Sequence, residues 1–155
     1  KTPDGRLWSE NWKLGLCSFD GQKWTAEFDT DNSLLDGAIT NTVLATSSSM
    51  ILLGTNKGLF QFDPVLNSIT DLKLGLVNVR RIYETTDRSL WVATDKGLFQ
   101  LANGKWQESI TDQTINPIQQ TDQGQLWLAT SNGLYHFHHG EWISELDVAV
   151  NSILE

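Results

Sequence analysis

The sequence predicts an all-β protein, a β-propeller or part of one, built from about four four-stranded antiparallel blades. Three observations predict it. Four marker glycines, Gly15, Gly58, Gly97 and Gly133, recur 43, 39 and 36 residues apart. A tryptophan follows nine residues after three of them, at Trp24, Trp106 and Trp142. No window shows a convincing helical period, whereas short apolar runs alternate with turn residues throughout. Repeats of about 40 residues with a tryptophan signature are the mark of propeller blades. One four-stranded sheet cannot hide two apolar faces, so blades must stack.

The elements of a copy follow in order. A first strand is predicted at Val79–Glu84, matched by Ile115–Gln120, Thr40–Ala45 and Val150–Glu155. A polar turn comes next: Asp87-Arg88-Ser89, Asp122-Gln123-Gly124, Ser47-Ser48-Ser49 and Asp4-Gly5. The second strand is Leu90-Trp91-Val92-Ala93-Thr94, aligned without a gap to Leu126–Thr130 and Ile51–Thr55. Being apolar on both faces, it is expected to lie buried on both. A hairpin ending in the marker glycine leads to the third strand, such as Leu98–Leu101. A second turn, Asn103-Gly104, His139-Gly140 or Asp20-Gly21, leads to a short outer strand headed by tryptophan. The second copy departs, with Asp63-Pro64 in place of a glycine turn and Asn67 in place of the tryptophan. Trp8, Trp91 and Trp127 are expected between blades, and Trp12 in the open.

The ends carry an expectation of their own. Lys1–Leu7 reads as a turn and second strand with no first strand before it, and Val150–Glu155 as a first strand with nothing after it. At 155 residues the chain is long enough for one domain and too short for two ordinary ones, so residues 1–155 read as a single propeller module. Its last strand, 150–155, either completes the blade begun at 1–24, within one chain or between copies in a homo-oligomer, or belongs to a further blade. Pairing would cover the exposed edge of the first blade.

Charge and composition exclude several classes. Eleven basic against 19 acidic residues leave a net charge of −8, which repels a phosphate backbone, so nucleic acid is not the expected partner. No stretch approaches the 18 or so apolar residues of a membrane span, and no leader pattern stands at the N-terminus. The single Cys17 excludes an intrachain disulfide and, standing where Phe60, Phe99 and Tyr135 stand, reads as a packed residue.

Catalytic and metal chemistry find little to build on. His136 and His138 share a strand face, but no cysteine or carboxylate on that strand completes a ligand set, and His139 falls in a turn. The run reads as a solvated polar face. Asp4, Asp87 and Asp122 read as backbone caps of their turns. No catalytic residue, metal or cofactor is predicted.

A ligand would meet the propeller at the end bearing the marker-glycine hairpins. The candidates there are Trp12, Lys13, Asn56, Lys57, Asp95, Lys96 and Asn132, with Arg80 where the chain enters a blade. Trp12 sits in the one hairpin with an inserted residue and would offer a stacking platform or a staple onto a neighbouring loop. Asn41, Asn116 and Asn151 share the position of Arg80. They either ring the channel mouth or satisfy backbone at that point.

The pattern Asp-x-Gly-x-Leu-Trp-Val-(Gly/Ala)-Thr-x-x-Gly-Leu, seen best in Asp122–Leu134 and with a shortened turn in Asp87–Leu98, resembles the two-component regulator propeller repeat. Asp4–Leu16 has a shortened turn and one extra residue before its marker glycine, and Ser47–Leu59 lacks both the aspartate and the tryptophan. The resemblance implies a non-catalytic, ligand-sensing module, periplasmic or extracellular, of a two-component signalling protein. Its ligand would be a small solute or a protein. The alternative is a protein-interaction scaffold. An enzyme of the streptogramin-lyase kind would need a His/Glu cluster at one end of the axis.

Overall fold

The computed structural model describes residues 2–11, 15–28, 35, 37–111 and 113–153. They form fifteen strands in four antiparallel sheets, and no helix occurs among them. Blade 1 is three-stranded: β1 (Leu7–Asn11), β2 (Gly15–Phe19) and β3 (Trp24–Phe28). Blade 2 is β4 (Thr40–Ala45), β5 (Ile51–Thr55), β6 (Gly58–Asp63) and β7 (Ser68–Asp71). Blade 3 is β8 (Val79–Glu84), β9 (Leu90–Thr94), β10 (Gly97–Ala102) and β11 (Lys105–Thr111). Blade 4 is β12 (Ile115–Gln120), β13 (Leu126–Thr130), β14 (Leu134–His138) and β15 (Glu141–Leu146). Each sheet runs in simple up-and-down order. The predicted fold class is the observed one.

The chain divides into two compact units, one reaching to Ile82 and one from Tyr83, so the boundary falls inside β8. Unit 1 packs blade 1 against blade 2 through Leu16, Leu35, Ile51, Leu53, Phe60 and Phe62, with Trp8 edge-on to Phe62 at 5.9 Å. Unit 2 packs blade 3 against blade 4 through Trp91, Leu98, Ile118, Leu126 and Leu128. Trp91 meets Phe137 at 5.1 Å and Trp142 at 5.5 Å in edge-to-face geometry. Of the three tryptophans expected between blades, Trp91 is 2% exposed. Trp8 and Trp127 are half-buried. Trp127 belongs to the last blade of its unit, and only its other face, through Leu126 and Leu128, packs on blade 3. Trp12 lies outside the described residues.

The second strand is buried at every position in β5 and at all but its first in β9, as its sequence requires. Its last residue does more than pack. Thr55, Thr94 and Thr130, each 0% exposed, donate their hydroxyls to the carbonyls of Gly58, Gly97 and Gly133 at 2.9, 3.0 and 3.1 Å. The same hydroxyls accept from the backbone N–H of Lys57, Lys96 and Asn132. One threonine thus closes each hairpin from inside.

The marker glycine has two reasons. Gly97 adopts φ 138°, and a Cβ there would stand 2.0 Å from the Ile110 carbonyl oxygen. At Gly133 the Leu146 carbonyl leaves the same lack of room, 2.3 Å. Both carbonyls come close because the outer strand bulges. The register slips between Leu98 and Phe99, between Leu134 and Tyr135, and between Leu16 and Cys17. The extra residues are Ser109, Glu145 and Glu27.

The expected strand 150–155 is not a strand where it is described, at residues 150–153. Val150 donates to the Thr130 carbonyl at 3.0 Å and accepts from the Asn116 amide at 2.8 Å. In unit 1 the Asn41 amide reaches the Val79 carbonyl at 2.9 Å in the same way. Val150 therefore occupies, relative to its blade, the place at which Val79 begins β8. In its sheet, β1 is hydrogen-bonded to β2 alone.

Gly97→Ala combines a left-handed φ with a backbone collision, so it should cost about 3 kcal/mol in urea denaturation. Gly104→Ala, at φ 73° with nothing within 4 Å, should cost about 1 kcal/mol. Equal costs at the two positions would remove the close approach as the reason for the marker glycine.

Candidate functional site

At the hairpin end the predicted residues serve two ends. Asn56 accepts from the Ile39 N–H through Oδ1 at 2.8 Å and donates its own N–H to the Ile39 carbonyl at 3.0 Å. Ser131 ties its hairpin to Thr114 by the same pair of contacts, at 3.3 and 3.0 Å. The first hairpin residue therefore fastens the hairpin to the segment leading into its own blade. Lys57 and Arg80 in unit 1, and Asp95, Lys96 and Asn132 in unit 2, are exposed. Asn41 and Asn116 bridge to the backbone at the start of the next strand segment, which is the backbone-satisfying role rather than a lining one. Trp12 and Lys13 lie outside the described residues.

Unit 2 has a cleft at its opposite end, where the turns between first and second strands lie. It holds about 150 Å³ between blades 3 and 4. Asp87, Ser89 and Gln120 form its polar rim, while Trp91, Gln100 and Phe137 lie further along the strands. The residues predicted from the sequence lie at the other end. The turn behind the rim is tightly built. Thr85 donates its hydroxyl to Asp87 and to the Ser89 carbonyl, the latter at 3.0 Å. Asp87 Oδ1 also accepts from the Ser89 N–H at 3.1 Å, and Oδ2 from the Ser89 hydroxyl at 3.2 Å. Across the cleft Gln120 accepts from the Thr86 N–H at 2.9 Å and donates to the Gly124 carbonyl at 3.0 Å. It joins the two turns.

The same turn recurs in all four copies at one length, counted from its threonine. Thr2, Thr46, Thr85 and Thr121 donate backbone N–H to the carbonyls of Arg6, Met50, Ser89 and Gln125 at 2.8–3.0 Å. The residue three beyond each threonine has positive φ: Gly5 90°, Ser49 68°, Arg88 67° and Gly124 84°. An alignment anchored on aspartate makes the Asp87 turn one residue short. The structure shows that the aspartate has shifted instead, and that Arg88 takes the glycine's place.

Asp4 and Asp87 cap these turns as expected. The Thr85 hydroxyl first, then the Ser89 N–H, holds the Asp87 carboxyl below the ordinary 3.8, and Thr2 and the Arg6 N–H do the same for Asp4. Burial pushes the Cys17 thiol up, in keeping with a packed residue 5% exposed.

The histidine run is divided by its fold. His139, with φ 50°, and Gly140, with φ 90°, form the β14–β15 turn. His136 lies on Trp127 at 5.4 Å between ring centres, its Nδ1 2.8 Å from Glu145 Oε1. That contact is an ion pair when the imidazole is charged; a neutral ring protonated only on Nε2 would leave Nδ1 without a donor. Among the described residues no three His, Cys, Asp or Glu side chains come together as a metal set. No helix among them is long and apolar enough to cross a membrane.

Neither a protein-family model nor a curated protein matches the sequence. Solved structures do match the fold. The extracellular domain of BT4673 from B. thetaiotaomicron, a protein named as a hybrid two-component system, superposes with a TM-score of 0.78 at 24% identity. The match covers 98% of this chain and 23% of that one, so the chain spans about a quarter of the domain it resembles. YCF48 bound to D1 peptide matches with a TM-score of 0.66 at 14% identity, over 94% of this chain and 51% of that one. A protein named as a gluconolactonase matches with a TM-score of 0.60 at 15% identity, over 93% and 64%. At these identities the likeness is one of fold. It is consistent with the two-component regulator propeller resemblance of the repeat.

The Asp87 hydrogen bonds set a pH dependence. A carboxyl with a lowered folded-state pKa adds stability above its unfolded value, and that stability is lost as pH falls through the folded value. Thr85→Val removes the largest contribution. A carboxyl-detected NMR titration should place the Asp87 midpoint below 3.8 in the parent chain and move it upward in the variant. An unmoved midpoint would contradict the Thr85 contact.

Proposed function

We propose that this chain is a non-catalytic sensing segment of a propeller that stands outside the cytoplasmic membrane, periplasmic or extracellular, and belongs to a two-component signalling protein. The observation that carries the reading is the fold match to the BT4673 extracellular domain along 98% of the chain. The sensing surface in this reading is the unit 2 cleft between blades 3 and 4. It is concave, with an aromatic interior and a polar rim that holds one carboxylate, which is the usual make-up of a recognition site. The hairpin-end residues, Lys57 and Arg80 in unit 1 and Asp95, Lys96 and Asn132 in unit 2, are exposed, and on each unit separately they are a secondary surface for a larger partner. Of the histidines, His136 is paired with Glu145 and His139 is spent in a turn.

A second reading, an interaction scaffold, is favoured by the YCF48 structure, which was solved with a peptide on a comparable fold.

Thermal melting of the chain against a panel of solutes and peptides tests the proposal. A ligand of the cleft should raise the melting temperature in a saturable way, by mass action on the folded state. Gln100→Phe, which fills the cleft, should keep the fold and lose the shift. In the full-length parent protein the same ligand should change autophosphorylation. Multiple turnover of any solute into product would contradict the non-catalytic reading.

A further inference from the structure

We infer that the unit 2 cleft receives a guanidinium group, carried by an arginine-bearing ligand, an inference that rests on this cleft being the sensing site. In blade 1 the chain supplies such a group itself. Arg6 Nε lies 3.4 Å from Asp4 Oδ2, and Arg6 Nη1 lies 3.7 Å from Glu27 Oε1. Glu27, the bulge residue of β3, accepts in turn from the Ser18 hydroxyl. Thr2 donates to Asp4 and accepts from Trp8 Nε1 at 3.1 Å. A turn aspartate, a guanidinium and a bulge carboxylate thus form one closed network beside the second-strand tryptophan.

Blade 3 keeps the frame and lacks the middle. Thr85, Asp87 and Trp91 stand where Thr2, Asp4 and Trp8 stand, and the Thr85–Asp87 bond repeats. Arg6 is replaced by Ser89, Glu27 by Ser109 and Ser18 by Gln100. Ser109 is turned to Trp142, accepting from its Nε1 at 2.9 Å. Asp87 consequently has no ion-pair partner among the described residues, and Arg88, next to it in the turn, does not pair with it. The Gln100 carboxamide makes no hydrogen bond to any described residue. In blade 4 the equivalent of Gln100, His136, is met by its own bulge carboxylate, Glu145. Blade 3 alone of these three blades leaves both positions open, and the cleft lies there.

The chemistry left over suits a planar cation. Oδ2 of Asp87 accepts one weak bond from Ser89, so it retains acceptor capacity, and the Gln100 carbonyl adds a second acceptor. A guanidinium offers five N–H donors in a fixed fork that matches such a pair. The apolar walls of Trp91 and Phe137 strengthen charge-assisted bonds by excluding water. At about 150 Å³ the cleft is smaller than a site for a whole drug-sized molecule, and it fits a head group. The net charge of −8 favours arrival of a cation.

The test is an NMR titration of the folded chain with N-acetyl-L-arginine amide, free L-arginine, N-acetyl-L-lysine amide and the uncharged N-acetyl-L-citrulline amide. The arginine compounds should shift the Gln100 side-chain amide and the Ser89 backbone signals in a saturable way. They should bind at least about tenfold more tightly than citrulline, as expected for a charged hydrogen-bonding group. Preference for the acetylated amide over free arginine would point to a peptide side chain, and the reverse to a free solute. Asp87→Asn should lose the binding. Gln100→Lys, which leaves the turn untouched and puts an ammonium beside Asp87, should lose it too. Equal binding of arginine and citrulline, or unchanged binding in both folded variants, would overturn the inference. If another solute saturates the cleft signals and arginine does not, the guanidinium assignment fails and the sensing cleft stands. If nothing moves those signals, both fail.

Discussion

The structure depends on a strand that must be buried on both faces. The Leu-Trp-Val-Ala-Thr run of β9 has no polar side chain to turn toward water until its final threonine, and that hydroxyl is spent inside the hairpin. Such a strand has one stable setting, between its own sheet's partners and the face of a second blade. Trp91 shows the consequence. It is sealed by Phe137 and Trp142 from the next blade, and the indole of Trp142 finds its hydrogen bond back on Ser109 of blade 3. Apolar burial supplies the stacking, and a small number of polar contacts fixes its register.

The two ends of a blade then acquire different characters. At the hairpin end, the threonine clamp, the marker glycine and the bulged outer strand leave little freedom, and the first hairpin residue is bound to the chain entering the blade. At the other end, the turn is equally regular in its backbone, yet its side chains differ from copy to copy. Blade 1 fills its turn with Arg6, and blade 3 leaves Asp87 and Gln100 around a cleft. A repeat architecture makes this comparison meaningful, because each copy serves as a control for the others.

Much of this was legible in the sequence. The first and second strands of blades 2, 3 and 4 fall at the predicted residues, because apolar runs bounded by turn residues constrain both ends of a strand. The His139-Gly140 and Asn103-Gly104 turns were readable for the same reason. The cleft was not. Gln100 looks like an ordinary outward residue of a strand, and only the contrast with His136 and Ser18 marks it. Those contrasts arise from bulge residues Glu27, Ser109 and Glu145, whose extra place in the outer strand has no sequence signature of its own. Arg88 does not read as the counterpart of the turn glycine because a non-glycine residue there adopts φ 67°, which sequence propensity disfavours. Trp127 shows a further limit: its motif matches that of Trp91, but burial depends on what lies across from it.

Blade stacking through the second-strand tryptophan holds the fold together, and one substitution tests it directly. Trp91→Ala removes the largest fully buried side chain among the described residues, so urea denaturation should show a loss of about 3–5 kcal/mol. A loss below about 1 kcal/mol, the range of ordinary surface changes, would contradict the stacked-blade structure.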